Sequence, residues 1–304
     1  MTIKIGLIGC GQWGRNHAKK LSLLSKMGEC DFVGIADVNG EVAKVAEQFQ
    51  VDFFSDIGYL LEKVDAVIVV VPTILHAEVV RTAFEAKKHV LVEKPMTLHS
   101  KKTKELLWLA QRTNLILSVG YLYRFHPVLI ELKDLLPKIG KVHYVNARYT
   151  GGQNRLWADS GAILNFGIHV IDMLNFLFGS NTRGVLARKQ NLLDAKREDS
   201  ANILLSFETF HAVVELSCIN RVKKREIEVI AENDTILADL KENTLKGCKS
   251  QVQYFEAVDP LFDELRYFVS LVGRHQSGSF YGAENKSEED INTVLTCEAA
   301  LGSD

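Results

Sequence analysis

The chain has 304 residues, 47% of them hydrophobic, enough to bury a large core and to form two domains. A formal net charge of −2 and an isoelectric point near 6.5 give no footing for a nucleic-acid or membrane-surface partner. No apolar stretch approaches the roughly 20 residues of a membrane span, the five cysteines are scattered without a Cys-x-x-Cys pair, and the N-terminus shows strand alternation instead of a signal peptide; the expectation is a soluble cytoplasmic protein with reduced thiols and no metal site.

Thr2 to Ile8 is β-branched and apolar, as a buried parallel strand should be, and runs into Gly9-Cys10-Gly11-Gln12-Trp13-Gly14 and a helix from Arg15. Gly9 suits a tight turn, Gly11 lets the backbone approach a pyrophosphate, and Gly14 lets the helix pack closely on the strand. The free N–H groups of that helix start would hold the phosphates. A second apolar run, Asp31 to Ala36, ends at Asp37, 23 positions after Gly14. A carboxylate there can accept both hydroxyls of an adenosine ribose and repel a 2′-phosphate, so the pattern predicts a dinucleotide site with NAD favoured over NADP.

Strand and helix signals then alternate to Gly120. Helices are expected over Val42 to Phe49, Ile57 to Leu61, Ala77 to Ala86 and Ser100 to Arg112, and strands over Ala66 to Val71, His89 to Val92 and Leu115 to Val119. Repeated β-α units mean an α/β fold with a doubly wound parallel sheet. After Gly120 the rhythm changes: helices at Pro127 to Leu136 and Ile163 to Phe178, a strand at Val142 to Tyr149, then strand-like runs at 183–188, 200–207, 211–217, 226–231 and 235–240. Strands in series with short links form an antiparallel or mixed sheet. The division expected is a Rossmann domain over residues 1–120 and an α+β domain over 121–304, the latter closing with a helix at Pro260 to Val272, a polar loop from Gln276 to Asp290 and a last helix.

Ligands of open α/β sheets sit beyond the carboxyl ends of the strands, and the chemistry is expected where the two domains meet. Val71-Pro72-Thr73 with His76 follows one strand and reads most simply as a capped turn. Glu93-Lys94-Pro95 follows another; Pro95 ends it, so Lys94 projects from its end, either to act on a substrate oxygen or as a solvated partner of Glu93. Tyr121 to Pro127 is an aromatic and basic join in which Arg124 could anchor an anionic substrate group or serve interdomain packing. Asn165, His169 and Asp172 fall at i, i+4 and i+7 of an otherwise apolar helix, which makes His169 a candidate acid/base.

Taken together, GCGQWG followed by His17, Asp37, VVPTILH, EKP, YRFHP and G-x-x-x-N-x-G-x-H-x-x-D resemble the Gfo/Idh/MocA oxidoreductases over most of the chain. The resemblance implies a C-terminal open-faced sheet domain, commonly a homo-oligomer interface, and NAD(P)-dependent redox chemistry on a sugar, cyclitol or nucleotide sugar. It implies Lys94 and His169 as the catalytic pair, with Asn165, on the same helical face as His169, as a further catalytic candidate. Gly9, Gly11, Gln12, Trp13, Gly14, Asp37, Thr73, His76, Glu93 and Lys94 would lie around the cofactor, and Arg124 and Asp172 at the substrate. The family often carries Asp where this chain has Asn165, and Asn cannot hold a proton for His169. A non-catalytic NAD-binding sensor of the same fold is the alternative.

Overall fold

The structure is a computed structural model that describes residues 2–151, 160–179, 182–193, 196–249, 252–256, 259–278 and 287–303. The chain forms two compact units: residues 1–121 with 261–287, and residues 122–260 with 288–304.

The first unit is built on six parallel strands in the order β3-β2-β1-β4-β5-β6, with β1 at Lys4–Ile8, β2 at Asp31–Ala36, β3 at Asp52–Phe54, β4 at Ala66–Val69, β5 at His89–Glu93 and β6 at Leu117–Gly120. Helices α1 (Gly14–Lys26), α2 (Ala43–Phe49), α3 (Ile57–Leu61), α4 (Thr73–Glu85) and α5 (Ser100–Thr113) make the crossovers. Every residue of β4 and β5 is buried, as in a sheet covered on both faces. β1 lies between β2 and β4, so the strand order reverses beside it, the crevice where doubly wound sheets hold ligands. The doubly wound α/β class expected from the sequence is the one observed.

Helix α8 (Pro260–Gln276) corrects the domain division. Leu261, Leu265, Phe268, Leu271 and Val272 join the core formed with Leu21, Leu24, Phe32 and Ile35 of the first unit. The chain therefore returns to its first unit late, instead of breaking once after residue 120. The Arg266 Nε atom adds an exposed bond to Glu29, 2.8 Å long.

The second unit holds eight strands in the order β14-β13-β12-β11-β7-β10-β9-β8: β7 Val142–Thr150, β8 Gly184–Gln190, β9 Ser200–Ser206, β10 His211–Ser217, β11 Lys224–Ala231, β12 Thr235–Asp239, β13 Thr244–Gly247 and β14 Gln253–Tyr254. β10 and β7 pair in parallel, and the other neighbours run antiparallel. Helices α6 (Pro127–Leu135), α7 (Ile168–Phe178) and α9 (Ser287–Gly302) belong to this unit. One sheet face is buried; on the other, Leu186, Leu204 and Val213 align across three strands and are exposed. The expected loop from Gln276 to Asp290 falls partly outside the described residues, and α9 already begins at Ser287. Among the described residues no helix is long and apolar enough to cross a membrane.

Candidate active site

The three glycines of the first turn have separable roles. Gly9 has φ +90°, and a Cβ there would lie 2.5 Å from the Val70 carbonyl oxygen. A Cβ on Gly14 would lie 2.3 Å from the Gly9 oxygen, so the helix can start there only on glycine, while a Cβ on Gly11 would meet nothing within 4 Å. Space is thus left over Gly11, beside the α1 N-terminus, which is the cradle a pyrophosphate needs. Asp37 follows β2 with its carboxylate already oriented: Oδ2 accepts from Cys10 N at 2.7 Å and Oδ1 from Asn39 N at 2.9 Å. A fixed negative charge at the end of β2 beside an open glycine cradle fits a dinucleotide.

Beyond β4, Thr73 opens α4 and His76 sits in its first turn, buried. The His76 ring spans two backbone oxygens, with Nδ1 at 3.0 Å from the Pro95 carbonyl and Nε2 at 2.9 Å from that of Val71. Burial lowers its pKa, opposed by those two carbonyl bonds and by the nearby Glu93 charge. His76 therefore ties the end of β4 to the segment after β5, more than the capped turn expected.

Glu93 ends β5 in full burial. Its Oε1 accepts Trp13 Nε1 at 2.5 Å and His17 Nε2 at 2.8 Å, and its Oε2 accepts the Lys94 backbone N–H at 3.0 Å. Burial alone would raise the Glu93 pKa, but the bonds and charges of His17, Lys94 and Trp13 outweigh it and leave the pKa lowered, so the carboxylate is ionised. Lys94 follows, half-buried, and the Lys94–Pro95 peptide is cis. Gly9, Gly11, Gln12, Trp13, Gly14, Asp37, Thr73, His76, Glu93 and Lys94 are thus gathered at the carboxyl ends of β1, β2, β4 and β5 of one sheet.

The second unit carries His169. The expected single helix is wound differently at its start: Ile163–Gly167 is a π-helical turn, with Ile168 N bonding Ile163 O, before α7 begins. Glu198 caps it, its Oε1 accepting from Ile163 N at 2.8 Å, and a Cβ on Gly161 would lie 2.2 Å from the Glu198 Oε2. Single π turns inside helices recur at functional sites. Asn165 lies on this turn, and its Nδ2 donates back to Ser160 Oγ at 2.7 Å and to the Ser160 and Gly161 carbonyls.

His169 is buried among aromatics. The Tyr149 ring stacks on it with centroids 5.6 Å apart and planes 12° from parallel, and Tyr123 meets it edge-on at 5.2 Å. The Arg225 guanidinium covers the Tyr149 ring at 3.4 Å and donates to the Thr150 and Lys224 carbonyls. Tyr123 and Tyr149 share a 3.2 Å hydroxyl contact, and burial, then Tyr149, push the Tyr123 pKa well above its ordinary value. Arg124 and Asp172, both expected at the substrate, bond each other: Nε and Nη2 of Arg124 reach the Asp172 carboxylate at 2.5–3.2 Å, and Nη2 also lies 3.3 Å from Asp290.

Sequence reasoning passed over Tyr149, Arg225 and Asp290, and quoted His17 without a role. Arg225 left a signal: on β11 the buried positions alternate as Arg225, Ile227, Val229 and Ala231, so a charged residue holds an inward, apolar parity and needs internal partners. Asp290 left none, since a carboxylate in the first turn of a helix is ordinary on a surface.

Comparison with known proteins bears on the family and the fold. Residues 3–121 match the family described as "Oxidoreductase family, NAD-binding Rossmann fold", and residues 132–237 match the "GFO/IDH/MocA C-terminal domain". UDP-N-acetylglucosamine 3-dehydrogenase of Acidithiobacillus ferrooxidans is 27% identical over 292 residues, covering 90% of each chain. Myo-inositol 2-dehydrogenase of Thermotoga maritima is 26% identical over 317 residues, covering 93% of this chain and 92% of the relative. A solved structure of the Acidithiobacillus ferrooxidans UDP-N-acetylglucosamine 3-dehydrogenase shares the fold with a TM-score of 0.88 at 24% identity, over 100% of this chain and 98% of that one. The chain belongs to the Gfo/Idh/MocA family and is an NAD(P)-dependent dehydrogenase or reductase acting on CH–OH groups.

Proposed function

We propose that the protein moves hydride between a nicotinamide and a carbinol or carbonyl carbon of a sugar, cyclitol or nucleotide sugar, with NAD as the preferred cofactor. The observation that carries this is the open space over Gly11 beside the fixed Asp37 carboxylate, on the same sheet edge as Lys94. Bound NAD supplies the hydride acceptor at its nicotinamide C4. In the oxidative direction His169 takes the hydroxyl proton, and the Lys94 ammonium orients and polarises that oxygen. The flat Tyr149 ring against His169 restricts the imidazole to one plane, and the Ser160 and Gly161 bonds of Asn165 set its amide nitrogen, leaving proton transfer to His169. Arg124 and Asp172 act at the substrate through the fixed surface that their ion pair builds.

Nucleotide sugars come first among substrates, because a relative matching 90% of the chain is named for UDP-N-acetylglucosamine. The row Leu186, Leu204 and Val213, exposed on the open sheet face, suits a second copy of this chain, which sedimentation of the purified protein would reveal as a dimer or tetramer. The deciding experiment is a screen of nucleotide sugars, inositols and free sugars for NADH formation by its near-ultraviolet absorbance. Turnover on one class is expected; NADH binding with no turnover on any of these classes would refute this reading of the substrate.

A further inference from the structure

Glu93 was expected to face the cofactor, yet its hydrogen bonds go to the protein. One oxygen takes both Trp13 of the glycine turn and His17 of α1, and the other takes the Lys94 N–H. On β6, a Cβ on Gly120 would lie only 3.2 Å from the Glu93 carboxyl carbon and Oε2, so the carboxylate is backed by backbone with no room to turn. His17 is fully buried and among the described residues its Nδ1 has no hydrogen-bond partner, so the polar bond its ring makes there is the one to Glu93, made by an Nε2 proton. A buried carboxylate left short of a donor is costly, which makes each of these bonds hold position strongly.

From this geometry we propose that Trp13 and His17 are positioning residues for Lys94: they clamp Glu93, and through it the glycine turn fixes the backbone from which the Lys94 ammonium extends. Trp13 is the link to the cofactor. It lies within the turn that would hold the phosphates, and its indole spans from there to the end of β5, so an ordered turn means an ordered Lys94. This rests on the reading of Lys94 as the group that acts on the reacting oxygen, and deepens it by naming what holds that group.

The test uses the whole protein with its lysines reductively methylated with ¹³C, the Lys94 resonance being the one missing in Lys94→Arg. The probe is ADP, which fills the glycine turn and lacks the nicotinamide. In the wild type ADP should shift the Lys94 resonance; in Trp13→Phe, which keeps a ring but removes the N–H, ADP should bind within about threefold of wild type with the shift lost. Trp13→Phe should also lower kcat at saturating NAD by about tenfold while leaving NADH affinity, read by its fluorescence, nearly unchanged. Equal shifts in both proteins, no shift in the wild type, no ADP binding at all, or a variant that weakens NADH and keeps kcat would each overturn the proposal. Failure of the underlying reading shows separately, as full turnover in Lys94→Ala, which the resonance experiment does not touch.

Discussion

Replacing Asp290 by asparagine should remove a pH dependence from the stability of the folded protein. Asp290 lies in the first turn of α9 beside Asp172 and Glu289, and Nη2 of Arg124 reaches the three at 3.3, 2.5 and 3.6 Å respectively. Burial pushes its pKa from 3.8 up to about 7; Arg124 opposes the rise, and Asp172 and Glu289 add to it. At about 1.4 kcal/mol per pH unit, that rise is worth on the order of 4 kcal/mol. The folded chain holds the proton more tightly than the unfolded chain, so this contribution is complete below pH 3.8, shrinks as pH rises and is gone above about 7. Between pH 5 and 7 the wild type should therefore lose roughly 2–3 kcal/mol from this group. Asp290→Asn is neutral in both states and lacks that slope. Urea unfolding of both proteins at steps from pH 5 to 8 measures it as a difference in midpoint that widens as pH rises, the wild type falling below Asp290→Asn. Parallel profiles would refute the assignment of the buried proton to Asp290.

Gly11→Val should leave the thermal midpoint within a degree or two of wild type while abolishing measurable NADH binding by fluorescence titration, because its side chain fills open space needed by phosphate. Wild type should bind NADH more tightly than NADPH, and Asp37→Ala should narrow the ratio by about tenfold or more, read by titration of each; a wild type that prefers NADPH would contradict the role given to Asp37. For alcohol oxidation, kcat/KM should fall on the acid side, and His169→Asn should remove that limb and lower kcat. A limb surviving in His169→Asn would reassign the proton to another group.

What could be read from the sequence was what local chemistry imposes. The Gly9, Gly11 and Gly14 spacing and the apolar runs on either side place β1, α1 and β2 because those positions admit little else. β3 was missed because Asp52-Phe53-Phe54 is three residues long on the sheet edge, and β13 and β14 because Thr244–Gly247 and Gln253–Tyr254 are short and largely polar. The return of α8 to the first unit is not a local property: its apolar stripe of Leu261, Leu265, Phe268 and Val272 is legible, and its partner is not. The same holds within the site. The chain order displays His169, but the stack with Tyr149 and Arg225 depends on β7 and β11 being neighbours, which only tertiary pairing decides.

The π turn at Ile163–Gly167 has a consequence for insertions and deletions. A helix wound this way holds one residue more than α winding would need over the same stretch. Deleting a single residue there would let the segment relax to regular winding with its two sides still in phase, whereas the same deletion within α7 would rotate one side against the other by about 100°. His169 and Asp172 would keep their phase, since they lie beyond the turn. Residue count between Ile163 and Gly167, as much as residue identity, thus decides whether this helix opens on a π turn, and a homologue one residue shorter here would open on regular α winding.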